Sequence, residues 1–458
     1  MPQAIISGFG HSTVALTELR NVTSAAEAIA LLGEPRRRGV VPRGRGRSYG
    51  DAAQNSGGVT AVNRSGSPPE VFVDAAGLVT ADASATIEDI LHAIVPRGWF
   101  IPVTPGTARA SLGGCLAADV HGKNHHADGT LGAHTTRLTL ITPVHGTISA
   151  SRGEDIFNAT IGGMGLTGII KEASFQAIRI DSAHMRVRRT RTENLHHTMR
   201  QLREADMRSR YSVAWLDLLA RGSALGRGVV IEGDHASAAD IPRRAQSRRL
   251  HYRPRSRATI PHHLPVNSLT RASVTLFNRL YYAASHPKAD HLEDISTFFH
   301  PLDAIRDWNY LYGRRGFVQY QFVVPDTEDG SRAVVSAIEA ITRSRYPGFL
   351  TVLKRFGPEG SGLLSFPRAG WTLTVDLPCG DAGLRALLTG LDLIVLAADG
   401  RIYLAKDAVS SPELITAMYP RLAEWQAIQR SLDPYGVMQS DMSRRLSLTA
   451  PHNAGESQ

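Results

Sequence analysis

The spacing of apolar and polar residues predicts the first elements. In residues 87–95, Ile87, Ile90, Leu91 and Ile94 fall at i, i+3, i+4 and i+7, one face of a helix. Thr86 is placed to cap it, Asp89 sits three residues on as in a capping box, and Gly98 lies just beyond the end. RLTLITPVHGTIS (137–149) alternates around His145-Gly146 and predicts a hairpin. GGMGLTGII (162–170) reads as a glycine-rich turn running into a strand, and GFVQYQFVVP (316–325) as a buried strand. Residues 382–398 read as an apolar helix. Pro412 after Ser411 opens another, expected to reach about Leu432, where Asp433-Pro434-Tyr435-Gly436 ends it. The first third alternates short strands with helices, and no internal repeat is apparent.

From about residue 184 the texture changes. RVRRTRTE, RRAQSRRL and HYRPRSR make the stretch to residue 257 arginine-dense. Such runs suggest nucleic acid. Base-stacking aromatics are sparse there, however, and no nucleic-acid motif accompanies them. The expectation is a solvated face with a long basic loop and no nucleic-acid partner. Residues 235–265 read as a mobile loop of the kind that serves as a lid.

Composition narrows the class. The 458 residues are 42% apolar, 20% charged and 7% aromatic, which excludes a disordered or collagen-like chain and suggests two or three domains. Two cysteines, Cys115 and Cys379, exclude a disulfide framework and a multi-cysteine zinc site. No apolar run reaches the roughly 18 residues of a spanning helix. MPQAIISGFGHSTVAL has no basic n-region ahead of an apolar core. The expected location is cytoplasmic or peripheral to a membrane, with a periplasmic one left open. A net charge of +9 favours an anionic partner. Lysine occurs only at positions 123, 171, 288, 354 and 406, and arginine supplies the remaining basic charge. Coding bias alone can leave that scarcity. A retained lysine is still a candidate for chemistry, because burial shifts its pKa and arginine's stays high.

Four segments carry candidate chemistry. PRGRGRSYGDAAQN (42–55) sets Gly44 and Gly46 two residues apart among arginines, which lets backbone N–H groups approach a diphosphate. It is not the G-x-G-x-x-G fingerprint: Tyr49 takes the third glycine's place and no helix pattern follows. PGTARASLGGCLA (105–117) has Gly113-Gly114 opening a small-residue helix, suited to a cofactor or simply to tight packing. HGKNHH (121–126) brings three imidazoles without a carboxylate or cysteine at ligand spacing. A polar turn touching a cofactor fits it better than a metal site, and no metal is expected. The glycine-rich turn at 162–170 is the fourth.

In this order the four segments resemble the FAD-binding domain of the vanillyl-alcohol oxidase (p-cresol methylhydroxylase, PCMH) class. HGKNHH is similar to the branch of that class that oxidises decaprenylphosphoryl-β-D-ribose. So are FFHPLDAIRDWNYLYGRRGFVQYQF (298–322), VLKRFGPEG (352–360), LSFPRAGWTLTVDLP (364–378), RIYLAKD (401–407), AMYPRLAEW (417–425) and SDMSRRL (440–446). The resemblance implies an α+β fold with a PCMH-type FAD-binding domain over residues 1–183. A substrate-binding domain, an antiparallel sheet flanked by helices, would span 184–400, with mobile segments at 235–265 and 284–297. Residues 401–458 would return to the FAD domain. The implied reaction is FAD-dependent oxidation of the 2′-hydroxyl of a polyprenylphosphoryl-β-D-ribose to the 2′-keto sugar. That is the first half of an epimerisation supplying arabinose for cell-wall arabinan, and a short-chain reductase partner would complete it.

The resemblance also assigns residues. Arg43, Gly44, Arg45, Gly46, Arg47, Ser48, Tyr49, Gly50 and Asp51 would form the first FAD-binding segment, with Tyr49 near the isoalloxazine. Gly106, Ser111, Leu112, Gly113 and Gly114 would hold the diphosphate region. His121, Gly122, Lys123 and Asn124 would line the flavin, and Ile170 and Tyr403 would complete its contacts. Trp215, Gln319, Gln321, Lys354, Thr372, Thr374, Asp376 and Lys406 would form the substrate pocket. Related sugar oxidases carry a histidine, covalently attached to the flavin, where this chain has Arg47. A guanidinium stays protonated and is a poor nucleophile, so FAD is expected to bind non-covalently.

For the hydroxyl proton, Lys406 is favoured, either as base or as a cation orienting the hydroxyl, and His121 is the alternative. Tyr49 is expected beside them. Better-known members of the branch carry Asn and Cys where this chain has Thr372 and Thr374. Thiol-directed inhibitors are therefore not expected to bond here, and the sugar itself is left open. The alternatives are an alditol or aldonolactone oxidase, against which the missing histidine counts, and a paralogue acting on another sugar. A basic protein binding acidic lipid or nucleic acid is the non-enzymatic alternative, and it would be colourless.

Overall fold

A computed structural model describes residues 3–34, 38–64, 68–254, 256–262, 268–285, 288–346 and 348–451. The fold is α+β. The first sheet holds β1 (Gln3–Ser7), β2 (Val14–Val22), β3 (Val40–Arg43) and β4 (Val59–Asn63) in the order β1-β2-β4-β3. Strands β2 and β3 run parallel to β4, and helix α1 (Ala25–Gly33) joins β2 to β3. The second sheet is antiparallel, order β5-β6-β9-β7-β8, from β5 (Val71–Val73), β6 (Leu78–Asp82), β7 (Thr135–Thr142), β8 (Gly146–Ser151) and β9 (Ile169–Gln176). The expected hairpin is β7–β8, turning at Gly146 with φ 62°. The expected first helix is α2 (Ile87–Ile94). Its Thr86 hydroxyl accepts from the Asp89 N–H at 3.1 Å and the Asp89 carboxylate accepts from the Thr86 N–H at 2.9 Å. The glycine-led helix is α3 (Leu112–Ala117).

The third sheet is the large one, antiparallel and eight-stranded. It contains β10 (His184–Thr192), β11 (Tyr211–Leu216), β12 (Gly228–His235), β13 (Lys288–Asp294), β14 (Phe317–Val324), β15 (Thr351–Phe356), β16 (Gly370–Pro378) and β17 (Arg401–Ile402). Their order is β13-β10-β12-β11-β15-β16-β14-β17. Helices α4 (Leu195–Arg208), α5 (Arg271–Ala284), α6 (Glu328–Arg343) and α7 (Ala382–Ala397) lie between its strands in sequence. Strand β14 is buried along its whole length because both faces are covered. Val318, Tyr320, Phe322 and Val324 join the apolar core that α6 and α7 complete. Gln319 and Gln321 turn the other way, as strand alternation requires.

The structure adds detail to several of these expectations and changes one helix. The helix expected from Pro412 to about Leu432 is two, α8 (Pro412–Met418) and α9 (Leu422–Leu432). Pro420 lacks an N–H and forces the residue before it out of helical geometry, and Tyr419 has φ −121° and ψ 83°. Of the arginine runs, RVRRTRTE lies on β10, RRAQSRRL forms a 3-10 segment over Arg243–Arg248, and the described residues of HYRPRSR carry no helix or strand. Arg186 and Arg188 face solvent while Met185 and Val187 are buried, so the arginines masked a genuine strand alternation. The segment at 284–297, expected to be mobile, contains β13, paired with β10; its residues 286–287 lie outside the described residues. The described part of 235–265 is not a free loop either. Gln246 Nε2 donates to the Ala238 and Ile241 carbonyls, both at 2.7 Å, and Tyr252 packs edge-on against His92.

The last helix among the described residues returns to the first sheet. In α10 (Asp441–Arg445), Arg445 forms a two-pronged bond to the Asp51 carboxylate, at 2.8 and 2.9 Å, and also pairs with Asp407 at 2.9 Å. Asp441 accepts from the Ser56 N–H and hydroxyl, and Arg444 donates to Asn55 Oδ1 at 2.8 Å. Among the described residues, no helix is long and apolar enough to cross a membrane.

Candidate active site between the sheets

A cavity of about 520 Å³ lies where the three sheets meet. One side is mostly backbone. After β3 the chain turns through Gly44 and Gly46, and it passes so close to the start of α3 that a Cβ on Gly44 would lie 2.0 Å from Ser111 Oγ. Gly46 has φ +62°, and a Cβ there would meet the Arg43 guanidinium at 2.4 Å. Ser111 caps α3, Gly113 packs against Ala83, and Gly106 has open space where a side chain would be. Arg43 is tied down by bonds to the Ser7 and Ala53 carbonyls.

The opposite side is a wall of side chains from the large sheet. Strand alternation aims Val213 and Trp215 of β11, Val352 and Lys354 of β15, Thr374 of β16 and Gln319 of β14 into the cavity. Register stacks them: Trp215 pairs with Val352, Val352 with Thr374, and Thr374 with Gln321. His121, Gly122, Lys123, Tyr403 and Lys406 close one end.

Charge in the cavity is lopsided. Arg43, Arg45, Arg47, Arg109, Lys123, Lys354 and Lys406 line it, against the carboxylates Asp303 and Asp307. Burial pulls the Lys354 ammonium down to about 8. Burial, then the charge of Lys354, pulls Lys123 down to about 7. Lys406 is lowered by burial first and then by Lys354, with Asp376 opposing. Burial pushes Asp376 up, although Gln319 Nε2 and the Tyr312 hydroxyl both donate to it. Lys406 Nζ stands 5.6 Å from the centre of the Tyr49 ring and makes no ion pair with a described residue. His121 sits between Phe356 and Tyr403, held well below its ordinary pKa by burial and by Lys354 and Lys406.

Gln321 braces that imidazole from behind the cavity. Its Nε2 donates to His121 Nε2 and to Thr372 Oγ1, each at 3.0 Å. With the amide in this orientation His121 accepts at Nε2, and His121 Nδ1 and Gln321 Oε1 are both buried without a partner. The other imidazoles of HGKNHH diverge. His125 Nδ1 accepts from the Gly357 N–H at 3.1 Å, and His126 Nε2 lies 3.3 Å from the Ser209 carbonyl.

Most residues assigned from the sequence share this cavity. Arg43 through Tyr49, Gly106, Ser111, Gly113, Gly114, His121, Gly122, Lys123, Ile170, Tyr403, Trp215, Gln319, Lys354, Thr374 and Lys406 all line it. Seven others stand behind its surface. A Cβ on Gly50 would strike the Asp407 carbonyl, and Asp51 is bound to Arg445. Leu112 is core, and Asn124 braces its turn through the Pro102 carbonyl and Asp128. Gln321, Thr372 and Asp376 are buried supports for the lining residues. Residues not anticipated include Phe277 and Tyr281 of α5, Trp308, Phe349, Arg109 and Asp303. Arg109 lay inside a quoted motif, and its guanidinium donates to the Asp303 carbonyl at 3.1 Å. The expected lid segments, 235–265 and 284–297, contribute no described lining residue.

A dinucleotide diphosphate suits the backbone side: it is glycine-lined, cationic, and keeps Arg47 Nε buried without a partner. Residues 18–152 match the FAD-binding domain family. Fold and cavity together define an FAD-binding oxidoreductase. Decaprenylphosphoryl-β-D-ribose oxidase of Mycolicibacterium smegmatis is 38% identical over 438 residues, covering 94% of this chain and 92% of that protein. A Streptomyces coelicolor protein, described as an uncharacterized protein in the mprA 5′ region, is 37% identical over 374 residues, 79% of this chain and all of that one. The chain belongs to the decaprenylphosphoryl-β-D-ribose oxidase family.

Proposed function

We propose that this protein oxidises the 2′-hydroxyl of a polyprenylphosphoryl-β-D-ribose to the 2′-keto sugar, with FAD held non-covalently. FAD bound on the glycine side supplies the acceptor for the two electrons. The observation that carries the reading is Lys406, a half-buried cavity lysine with its pKa lowered, free of an ion pair with any described residue, at the end of the side-chain wall facing that side. In its neutral form Lys406 takes the hydroxyl proton. His121 does not serve as base, because its acceptor nitrogen is engaged by Gln321. Lys354 and Lys123 supply positive charge for a phosphoryl group. Tyr49 and Trp215 supply apolar surface around the ring. Of the two departures from the family pattern, only Thr374 faces the cavity, so doubt about the sugar rests on that position.

The product would need a reductase of the short-chain type to return it to the epimeric alcohol, completing a route to an arabinose donor for cell-wall arabinan. Mixed anaerobically with polyprenylphosphoryl ribose, the yellow protein should lose its flavin absorbance, and free alditols or aldonolactones should leave it unchanged. Bleaching by free sugars alone would move the assignment to the alditol oxidases. After acid precipitation and washing, the polypeptide should carry no flavin fluorescence; fluorescence remaining on it would show a covalent bond.

A further inference from the structure

The arginine-rich stretch is not used by the chemistry above, and its charge is unusual. Residues 241–289 contain nine arginines and one lysine and no aspartate or glutamate, so the rest of the chain, against a total of +9, carries −1. Helix α5 lies in this segment and has two dissimilar sides. Inward, Phe277 and Tyr281 line the cavity beside Trp215 and Phe349, with ring centres 4.8 to 5.6 Å apart. The helix is anchored there by Val274 and by Asn278 Nδ2, which donates to Asp217 at 2.8 Å. Outward, Leu276 is 60% exposed and Leu280 61%. Ala272 and Ala283 extend the same stripe, and the exposed Arg271 and Arg279 flank it. The turn bearing the exposed Arg314 and Arg315 adjoins the start of α5, where the Ser268 N–H donates to the Leu311 carbonyl at 2.9 Å.

We infer that α5 is a membrane-contact helix, resting its Leu276–Leu280 stripe in the surface of an anionic bilayer at the cavity's edge. An apolar stripe bordered by arginines and free of acids is the pattern of a helix lying in the interfacial plane. The surrounding acid-free segment adds attraction to anionic headgroups. Because the helix's other side lines the cavity, a lipid-linked substrate reaches the site without its chain crossing water. The inference deepens the proposed function and rests on it for that last step alone.

The test uses FAD-loaded full-length protein and phosphatidylcholine vesicles with or without phosphatidylglycerol. The protein should sediment with the phosphatidylglycerol vesicles, and added salt should release it. The double substitution L276D/L280D should lower that partition by about tenfold or more. It should keep its flavin and its turnover of a water-soluble, short-chain prenylphosphoryl ribose. If that variant loses its flavin, R271E/R279E is read instead, with the same expected loss of binding. A wild type that stays in the supernatant, or variants that bind as it does, would overturn the inference. So would a wild-type dimer that L276D/L280D splits, since the stripe would then be a contact between two copies. Vesicle binding without turnover of any ribose lipid would support the membrane helix while refuting the proposed function.

Discussion

The two sides of the cavity are made of different material. The glycine side is main chain, from Arg43 to Tyr49 and from Gly106 to Gly114, where the absence of side chains is the functional property. The wall is side chains on consecutive strands of one sheet, positioned by register. A cradle of backbone is sensitive to added volume; a wall of polar side chains is sensitive to lost groups.

The largest effect should come from Lys406, the side chain that closes one end of the wall. Lys406→Ala should keep its FAD absorbance and lose about a hundredfold to ten-thousandfold in turnover. Unchanged kcat would retire Lys406 as the base. On the glycine side, Gly44→Ala should behave oppositely. Its methyl would collide with Ser111, so stability should fall by about 1–3 kcal/mol, with FAD content falling in parallel. Full FAD occupancy and an unchanged melting temperature would show the approach of the two turns to be looser than described.

A subtler change separates charge from shape within the wall. Lys354 opposes the protonated form of Lys406, so removing it raises the Lys406 pKa. The base form then appears only at higher pH, and the rising limb of kcat/KM for Lys354→Met should move upward by roughly one pH unit. A downward shift would assign the limb to another group. The smallest effect should be at the two threonines. Thr374→Val should change KM by less than about tenfold. Thr372→Val should leave KM alone and cost about 1 kcal/mol of stability through the lost Gln321 bond. Equal KM effects at both would place Thr372 in the cavity as well.

The same contrast explains what the sequence disclosed. The glycine side was legible because its motifs are contiguous and glycine spacing has a direct steric meaning. Helix α2 and strand β14 were legible from period alone. The wall was harder, since its members run from Val213 to Thr374 and each sits inside a strand that reads as buried. The resemblance gathered Gln319 and Gln321 together, and only the hydrogen bonds separate the first, lining the cavity, from the second, bracing His121. Helix α5 escaped notice because its apolar residues point two ways, inward at Phe277 and Tyr281 and outward at Leu276 and Leu280, which blurs the periodicity of one buried stripe. The break at Pro420 stands in plain view inside the stretch expected to be one helix.

The clamp of α10 on the first glycine turn bears on biosynthesis. Asp51 is bound by Arg445, 394 positions later in the chain. During translation the first glycine turn thus emerges from the ribosome long before the arginine that pairs with it exists. Until α10 has been made the Asp51 carboxylate lacks that partner, so a proteolytic nick ahead of α10 would loosen a turn whose residues lie near the other end of the gene.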